Sequence, residues 1–155
     1  MYPPKNQKFM KIAIGSDHAG FTRKQEIFEH LLSQGHDIKD FGTFSKDSVD
    51  YPDIAVQVAQ EVAQNQGEWG ILICGSGIGV SIVANKTEGI RAANCVNEEM
   101  ARLARQHNNA NILTLGERLV DTQTALRMVD VFLSTPFEGG RHEQRVSKIH
   151  GLTGC

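Results

Sequence analysis

The chain has 155 residues, 16 Lys and Arg against 18 Asp and Glu, six His and 40% hydrophobic residues, so its formal charge is −2 with neutral histidines. A chain of this length forms one domain and removes roughly two-thirds of its unfolded surface from water, which makes a core without disulfide or metal staples. The near-balanced charge argues against the basic footprint of a nucleic-acid binder and against a long acidic tail, and points to a small partner. In chain order, residues 1–9 contain Pro3 and Pro4 and no apolar run of signal-peptide length, and read as an N-terminal tail. Lys11 to Gly15 is a first strand, and Phe21 to Leu32 a helix with Phe21, Ile27, Phe28, Leu31 and Leu32 on one face and Gly35 past its end. His36 to Phe41 alternates, as a strand at a sheet edge does. Pro52 opens a second helix in which Ile54, Ala55, Val58, Ala59, Val62 and Ala63 form an i, i+4 ladder ending before Gly67. Trp69 to Cys74 is almost continuously apolar, the pattern of a parallel strand buried on both faces, and Ile78 to Asn85 is the third helix. Ile90 to Cys95 and Asn111 to Leu115 are the last strands, separated by a helix from Glu98 to His107 that carries Met100, Leu103 and Ala104. Asp121 caps a helix from Thr122 to Leu133, a final helix follows Gly139-Gly140, and residues 151–155 read as a C-terminal tail to a domain spanning 10–150.

Strands alternating with helices along the whole domain predict an α/β fold. It is a three-layer, doubly wound sandwich with a five-stranded parallel sheet and right-handed crossovers, of the Rossmann or flavodoxin-like kind. Ligands in such folds bind beyond the carboxyl ends of strands, where this sequence places Asp17-His18, the run Cys74 to Gly79, and Arg118. Cys74, Cys95 and Cys155 form no C-x-x-C pair and no even framework, which fits a reducing, cytoplasmic compartment. The longest uncharged stretch, Trp69 to Asn85, is short of the ~20 residues of a membrane span and is broken by three glycines, so no membrane segment is expected.

Cys74-Gly-Ser-Gly-Ile-Gly79 ends a buried strand and opens a helix, so its backbone N–H groups can converge on an anion. It matches neither the dinucleotide fingerprint nor a Walker A loop, and the same glycines also suit a tight turn with close packing. Cys74 is either a buried structural thiol or, at a helix N-terminus, a group favoured as thiolate and available as a base. Cys95 ends a strand where burial is expected, and Cys155 shows no role. His107 either interacts with the end of its helix or supplies an acid partner to a thiolate, and Asp17 either caps the next helix or faces a ligand. Arg141 and Arg145, at i and i+4, suit a phosphate or form a solvated face neutralised by Glu138 and Glu143. Asp17, His18, His107 and His142 show no recognised metal-ligand spacing.

The runs Gly15-Ser-Asp-His-Ala-Gly20, Asp50-Tyr-Pro52, Gly70 to Gly79, Ala84-Asn-Lys86, Gly89-Ile-Arg-Ala92, Arg105-Gln-His-Asn108 and Glu138 to Arg145 together resemble the type B ribose-5-phosphate isomerases, from about Met10 to Ile149. That family includes galactose-6-phosphate isomerase subunits and members acting on allose 6-phosphate. The resemblance implies a five-stranded sandwich assembling as homodimers or larger, up to tetramers, with active sites at the subunit interface and neither cofactor nor metal. It implies Cys74 as the base that moves a proton between C1 and C2, the loop Gly75, Ser76, Gly77, Ile78 and Gly79 as anion hole, and His107 as the acid/base of ring opening. It further implies sugar contacts from Asp17, His18 and Asn108, a pocket contact from Tyr51, and phosphate contacts from Arg118, Arg141 and Arg145, some from the neighbouring subunit. Some members carry a Glu where Gly77 stands, many carry Thr where Ser76 stands, and the residues before Met10 depart from the usual start.

These residues meet the needs of aldose–ketose isomerisation: a ring to open, a proton to take from carbon beside a carbonyl, and an enediolate charge to hold. The expected reaction interconverts ribose 5-phosphate and ribulose 5-phosphate in the non-oxidative pentose phosphate pathway. A narrower alternative keeps the chemistry on a hexose 6-phosphate, and a different class of reading is a non-catalytic phosphosugar-binding module. Neither nucleic acid nor membrane is expected as a partner.

Overall fold

Every apolar run named above forms a strand or helix in the computed structural model, which describes residues 8–155. The elements are β1 Lys11–Ser16, α1 Phe21–Ser33, β2 Asp37–Asp40, α2 Tyr51–Ala63, β3 Trp69–Cys74, α3 Ile78–Asn85, β4 Ala92–Asn94, α4 Glu98–Asn108, β5 Ile112–Gly116, α5 Thr122–Ser134 and α6 Arg141–Thr153. A single 3-10 turn, His18–Gly20, precedes α1. Of the expected N-terminal tail, residues 1–7 lie outside the described residues; Phe9 sits over Gly35 and Lys8 pairs with Glu68 at 3.7 Å. The expected C-terminal tail needs correction, because α6 continues through residues 151–153 and is closed by Gly154 in a left-handed conformation at φ 74°.

The strands are parallel in the order β2-β1-β3-β5-β4. This differs from the flavodoxin order 2-1-3-4-5 only in the exchange of the last two strands. The chain leaves β1 toward β2 and returns across it to β3, so the direction of winding reverses between β1 and β3, where the carboxyl ends leave a crevice. Ile71 and Ile73 pack with Ile27, Leu31, Met128 and Phe132 on one face, while Leu72 packs with Val58, Ala59 and Ala84 on the other. Burial on both faces is the reason β3 reads as an unbroken apolar run rather than an alternation.

Both outer strands are short. β2 is the expected edge and exposes Asp37 and Lys39, charges that oppose pairing with another chain. β4 is shorter than its apolar run, and on its outer side the Asn85 amide donates to Ala92 O at 2.9 Å and accepts from Ala92 N–H at 2.8 Å. Lys24 in α1 is fully buried, with its ammonium 2.6 Å from Asp40 and facing the rings of Phe21 and Phe44. Asp40 also accepts from Gly42 N–H at 2.8 Å, so this pair pins the start of the connection that leads to α2.

His36, 6% exposed, accepts from Met10 N–H at Nδ1 (3.3 Å), a bond that requires an unprotonated nitrogen. Burial holds its pKa below the ordinary 6.5, opposed by Asp130 and reinforced by His30. A histidine depressed in the folded state leaves the unfolded chain binding more protons, so its contribution is present above about pH 6.5 and is lost as pH falls through the folded value. Urea midpoints should therefore decline between pH 8 and pH 5.5, and His36→Gln should flatten that decline; an unchanged slope in the variant would show that His36 is not its source.

Candidate active site

The crevice at the β1/β3 switch point is a cleft of about 490 Å³, lined by Asp17, His18, Tyr51, Cys74, Gly75, Ser76, Ile78, Gly79 and Arg118, together with Ala19 and Ile82. At its floor Cys74, 5% exposed, ends β3, and its Sγ accepts the N–H of Gly77 at 3.1 Å. That bond depends on Gly77 adopting φ 80°, a conformation L side chains rarely enter, with the Leu115 backbone 2.7 Å from where a Cβ would stand. The Gly77 carbonyl is fixed in turn by the fully buried Thr114 hydroxyl at 3.0 Å. Gly79 lies under the Tyr51 ring, which would be 2.7 Å from any Cβ placed there.

The expected anion hole is narrower than the whole loop. Gly77 N–H is committed to Cys74, and Ile78 N–H donates to the Ser76 hydroxyl at 3.2 Å. Among the described residues no bond occupies the N–H of Gly75, Ser76 or Gly79, the groups left to receive an oxyanion. Arg118 lies over Gly75, held by its own N–H donating to Gly75 O at 3.1 Å, while Glu117 N–H donates to Cys74 O at 2.9 Å. The loop after β5 is thereby bonded along the loop after β3.

Asp17 caps the 3-10 turn, accepting from Gly20 N–H at 3.1 Å, and still lines the cleft. Val49 N–H donates to His18 Nδ1 at 3.1 Å, which orients the imidazole from the segment leading into Tyr51. Cys95 is not a candidate nucleophile: burial pushes its thiol up to about 11, and it faces Ala93 O.

His107, Asn108, Arg141 and Arg145 do not line this cleft. α4 runs back from the end of β4 and delivers His107 and Asn108 to the start of β5, whereas Arg118 follows its end. Five strand residues lie between, ~16 Å at ~3.3 Å each, so a His107–Cys74 acid–base pair within one chain is ruled out. His107 instead stacks on His142, with ring centroids 4.2 Å apart and planes 8° from parallel, and His142 Nε2 lies 3.4 Å from Glu138. His142 is buried, and desolvation, His107 and Arg141 hold its pKa below the usual histidine range. The ligand-capable atoms of His107, Glu138 and His142 lie within 4.8 Å of one another, a convergence that sequence spacing did not reveal. The adjacent Arg141 and Arg145 make this corner better suited to an anion than to a divalent cation.

The sequence did not single out Thr114 or Val49, and it named Glu138 and His142 without indicating that they meet His107. Thr114 carried a signal, as a hydroxyl inside the apolar run Ile112-Leu-Thr-Leu115. Val49 acts through its backbone and carried none, and the approach of Glu138 and His142 to His107 joins separate elements.

Comparison with known proteins agrees with this geometry. The profile of the Ribose/Galactose Isomerase family matches residues 12–149. The ribose-5-phosphate isomerase B of Escherichia coli (strain K12) is 50% identical over 142 residues, 92% of this chain and 95% of that protein. The solved ribose-5-phosphate isomerase B of Clostridium thermocellum superposes with a TM-score of 0.92 at 52% identity, covering 94% of this chain and 98% of its own. That of Mycoplasma genitalium, solved with bound ribulose 5-phosphate, superposes at 0.89 with 46% identity, covering 92% and 95%. With the family profile matching residues 12–149 and relatives and solved structures covering nearly the whole chain, the chain belongs to the ribose/galactose isomerase family.

Proposed function

We propose that this chain is an aldose–ketose isomerase interconverting D-ribose 5-phosphate and D-ribulose 5-phosphate, with each active site assembled from two copies. The observation that carries the reading is the Cys74 sulfur, fixed by Gly77 N–H at the mouth of α3 among uncommitted N–H groups, with Asp17, His18 and Arg118 around it. The relatives that match along nearly the whole chain support the same chemistry.

In the proposed reaction His107 protonates the ring oxygen and accepts the anomeric hydroxyl proton, giving the open aldehyde. The Cys74 thiolate takes the C2 proton, and the electron pair forms the C1–C2 double bond and leaves charge on O1, which the loop N–H groups hold. The O2 proton passes to O1, and Cys74 returns its proton to C1, leaving the C2 ketone. Arg118, Arg141 and Arg145 hold the phosphate and Asp17, His18 and Asn108 the hydroxyls, while Tyr51 walls the cleft; none of these steps draws on a metal or cofactor. The phosphate does not react, but binding it fixes the register of the carbon chain over Cys74.

Two copies are required in this reading because the Cys74 half and the His107 half occupy opposite ends of the sheet in each chain. Ile78, Ile82, Val96 and Met100 are apolar and 40–54% exposed, and Ile82 also lines the cleft, so the apolar surface is continuous with the site. A homodimer that covers this surface and brings His107 of one copy to Cys74 of the other meets both demands.

Purified protein with chelator and no added cofactor should convert ribose 5-phosphate to ribulose 5-phosphate, and unphosphorylated ribose should lose turnover as well as affinity. Conversion of only allose or galactose 6-phosphate would move the substrate to a hexose, and silence on all three would favour a binding module. Cys74→Ala should lower kcat by roughly 10²–10⁴-fold with the fold retained, as expected on removing a general base. Unfolding Cys74→Ala and His107→Asn chains together and refolding them as a mixture should restore about one quarter of wild-type activity, since half the dimers are mixed and each has one intact site. Sites contained within single chains would give no recovery.

A further inference from the structure

Arg105 shares the run Arg-Gln-His-Asn with His107 and Asn108, yet the reaction above gives it no task. It is 5% exposed, its guanidinium lying 4.3 Å from the ring centroid of Trp69 and 5.8 Å from that of Phe132. A Met or Leu would fill such a slot without placing a cation among core aromatics. No carboxylate pairs with Arg105 among the described residues, and burial together with Arg91 lowers its pKa to about 10. What the guanidinium holds is backbone and a cap. Nε donates to Thr135 O at 3.2 Å, and Nη1 donates to Ala110 O and, at 3.0 Å, to Asn109 Oδ1.

Those acceptors belong to two segments. Asn109 and Ala110 follow α4 directly, with Asn109 closing the helix in a left-handed conformation at φ 47°. Thr135 follows α5 and begins the connection to α6, along which Glu138 N–H donates to Gln106 O at 3.1 Å. The fork therefore ties the last turn of α4, which carries His107, to the segment that presents Glu138 and His142. The two imidazoles that stack in parallel belong to the two elements these ties join, His107 to α4 and His142 to α6.

We infer that Arg105 is a positioning residue for His107, its guanidinium fork setting the register in which His107 stacks on His142. The consequence for turnover rests on His107 opening the sugar ring, and a misplacement of that group on the order of 1 Å can cost about 10²-fold.

The test uses Arg105→Lys, which keeps the charge but loses the fork, and Asn109→Gly, which keeps the left-handed cap but loses the side-chain acceptor. Each is compared with His107→Asn in two assays. One is conversion of ribose 5-phosphate, which must open its ring. The other is exchange of solvent deuterium into C1 of ribulose 5-phosphate, an open-chain ketose that requires the Cys74 step alone. Arg105→Lys should lose tenfold or more in kcat/KM for ribose 5-phosphate and stay within about twofold in exchange, with a smaller loss of the same pattern for Asn109→Gly. Ring-proton resonances of His107 and His142 should shift in both variants while the remaining spectrum is kept. Equal losses in the two assays, or unmoved histidine resonances, would overturn the assignment and leave Arg105 as core packing. If His107→Asn shows no difference between the assays, ring opening by His107 is what fails, and the histidine resonances alone decide the positioning role.

Discussion

The backbone turn at Gly77 is the constraint around which the cleft is built. A parallel strand buried on both faces ends in a thiol, and the chain must reverse within three residues to start a helix over it. Only a left-handed residue accomplishes that here, and the reversal aims the Gly77 N–H at Cys74 and its carbonyl at Thr114. Arg118 and Glu117 are then carried into place because the loop after β5 hydrogen-bonds to the loop after β3. A Cβ at Gly77 would strike the β5 backbone and disturb the Cys74 sulfur, the loop N–H groups and the Arg118 segment together.

The second constraint is topological. In a parallel α/β sheet every helix returns the chain to the amino end, so residues late in a helix and residues just after a strand lie on opposite sides of the molecule. His107 and Asn108 fall in the first class, Cys74 and Arg118 in the second. The sequence brackets β5 with the two groups, only ten residues apart from Asn108 to Arg118, and this closeness along the chain disguises their distance in space. Each half is rigidly made: buried Lys24 and the Val49–His18 bond brace one, Arg105 and the imidazole stack the other.

Much of this could be read from the residues. β3 and α3 lie where the apolar run and the glycine loop put them, because buried parallel strands and their turns leave strong local patterns. Asp121 was legible as a cap, since its carboxylate accepts from Thr124 N–H and needs only nearby backbone. What was hidden depended on contacts between distant segments. The stacking of His107 on His142 joins α4 to α6, and Arg105 reads as one more helical cation until Trp69 and Phe132 close around it. The order of β5 before β4 leaves no mark in either strand, and it is this order that turns β4, with two alanines and an asparagine, into an edge.

That edge has a consequence for how copies of the chain can meet. A sheet continues from one molecule into another when an outer strand offers free amides and carbonyls, and a short strand without charges is ordinarily the place where this happens. Here the Asn85 amide already occupies both outward groups of Ala92, acting as one rung of a sixth strand, and β2 on the far side presents charge. With ladder growth opposed at both margins, side chains rather than backbone are favoured for self-association, and contacts of that kind recognise one partner in one orientation instead of templating an open-ended stack.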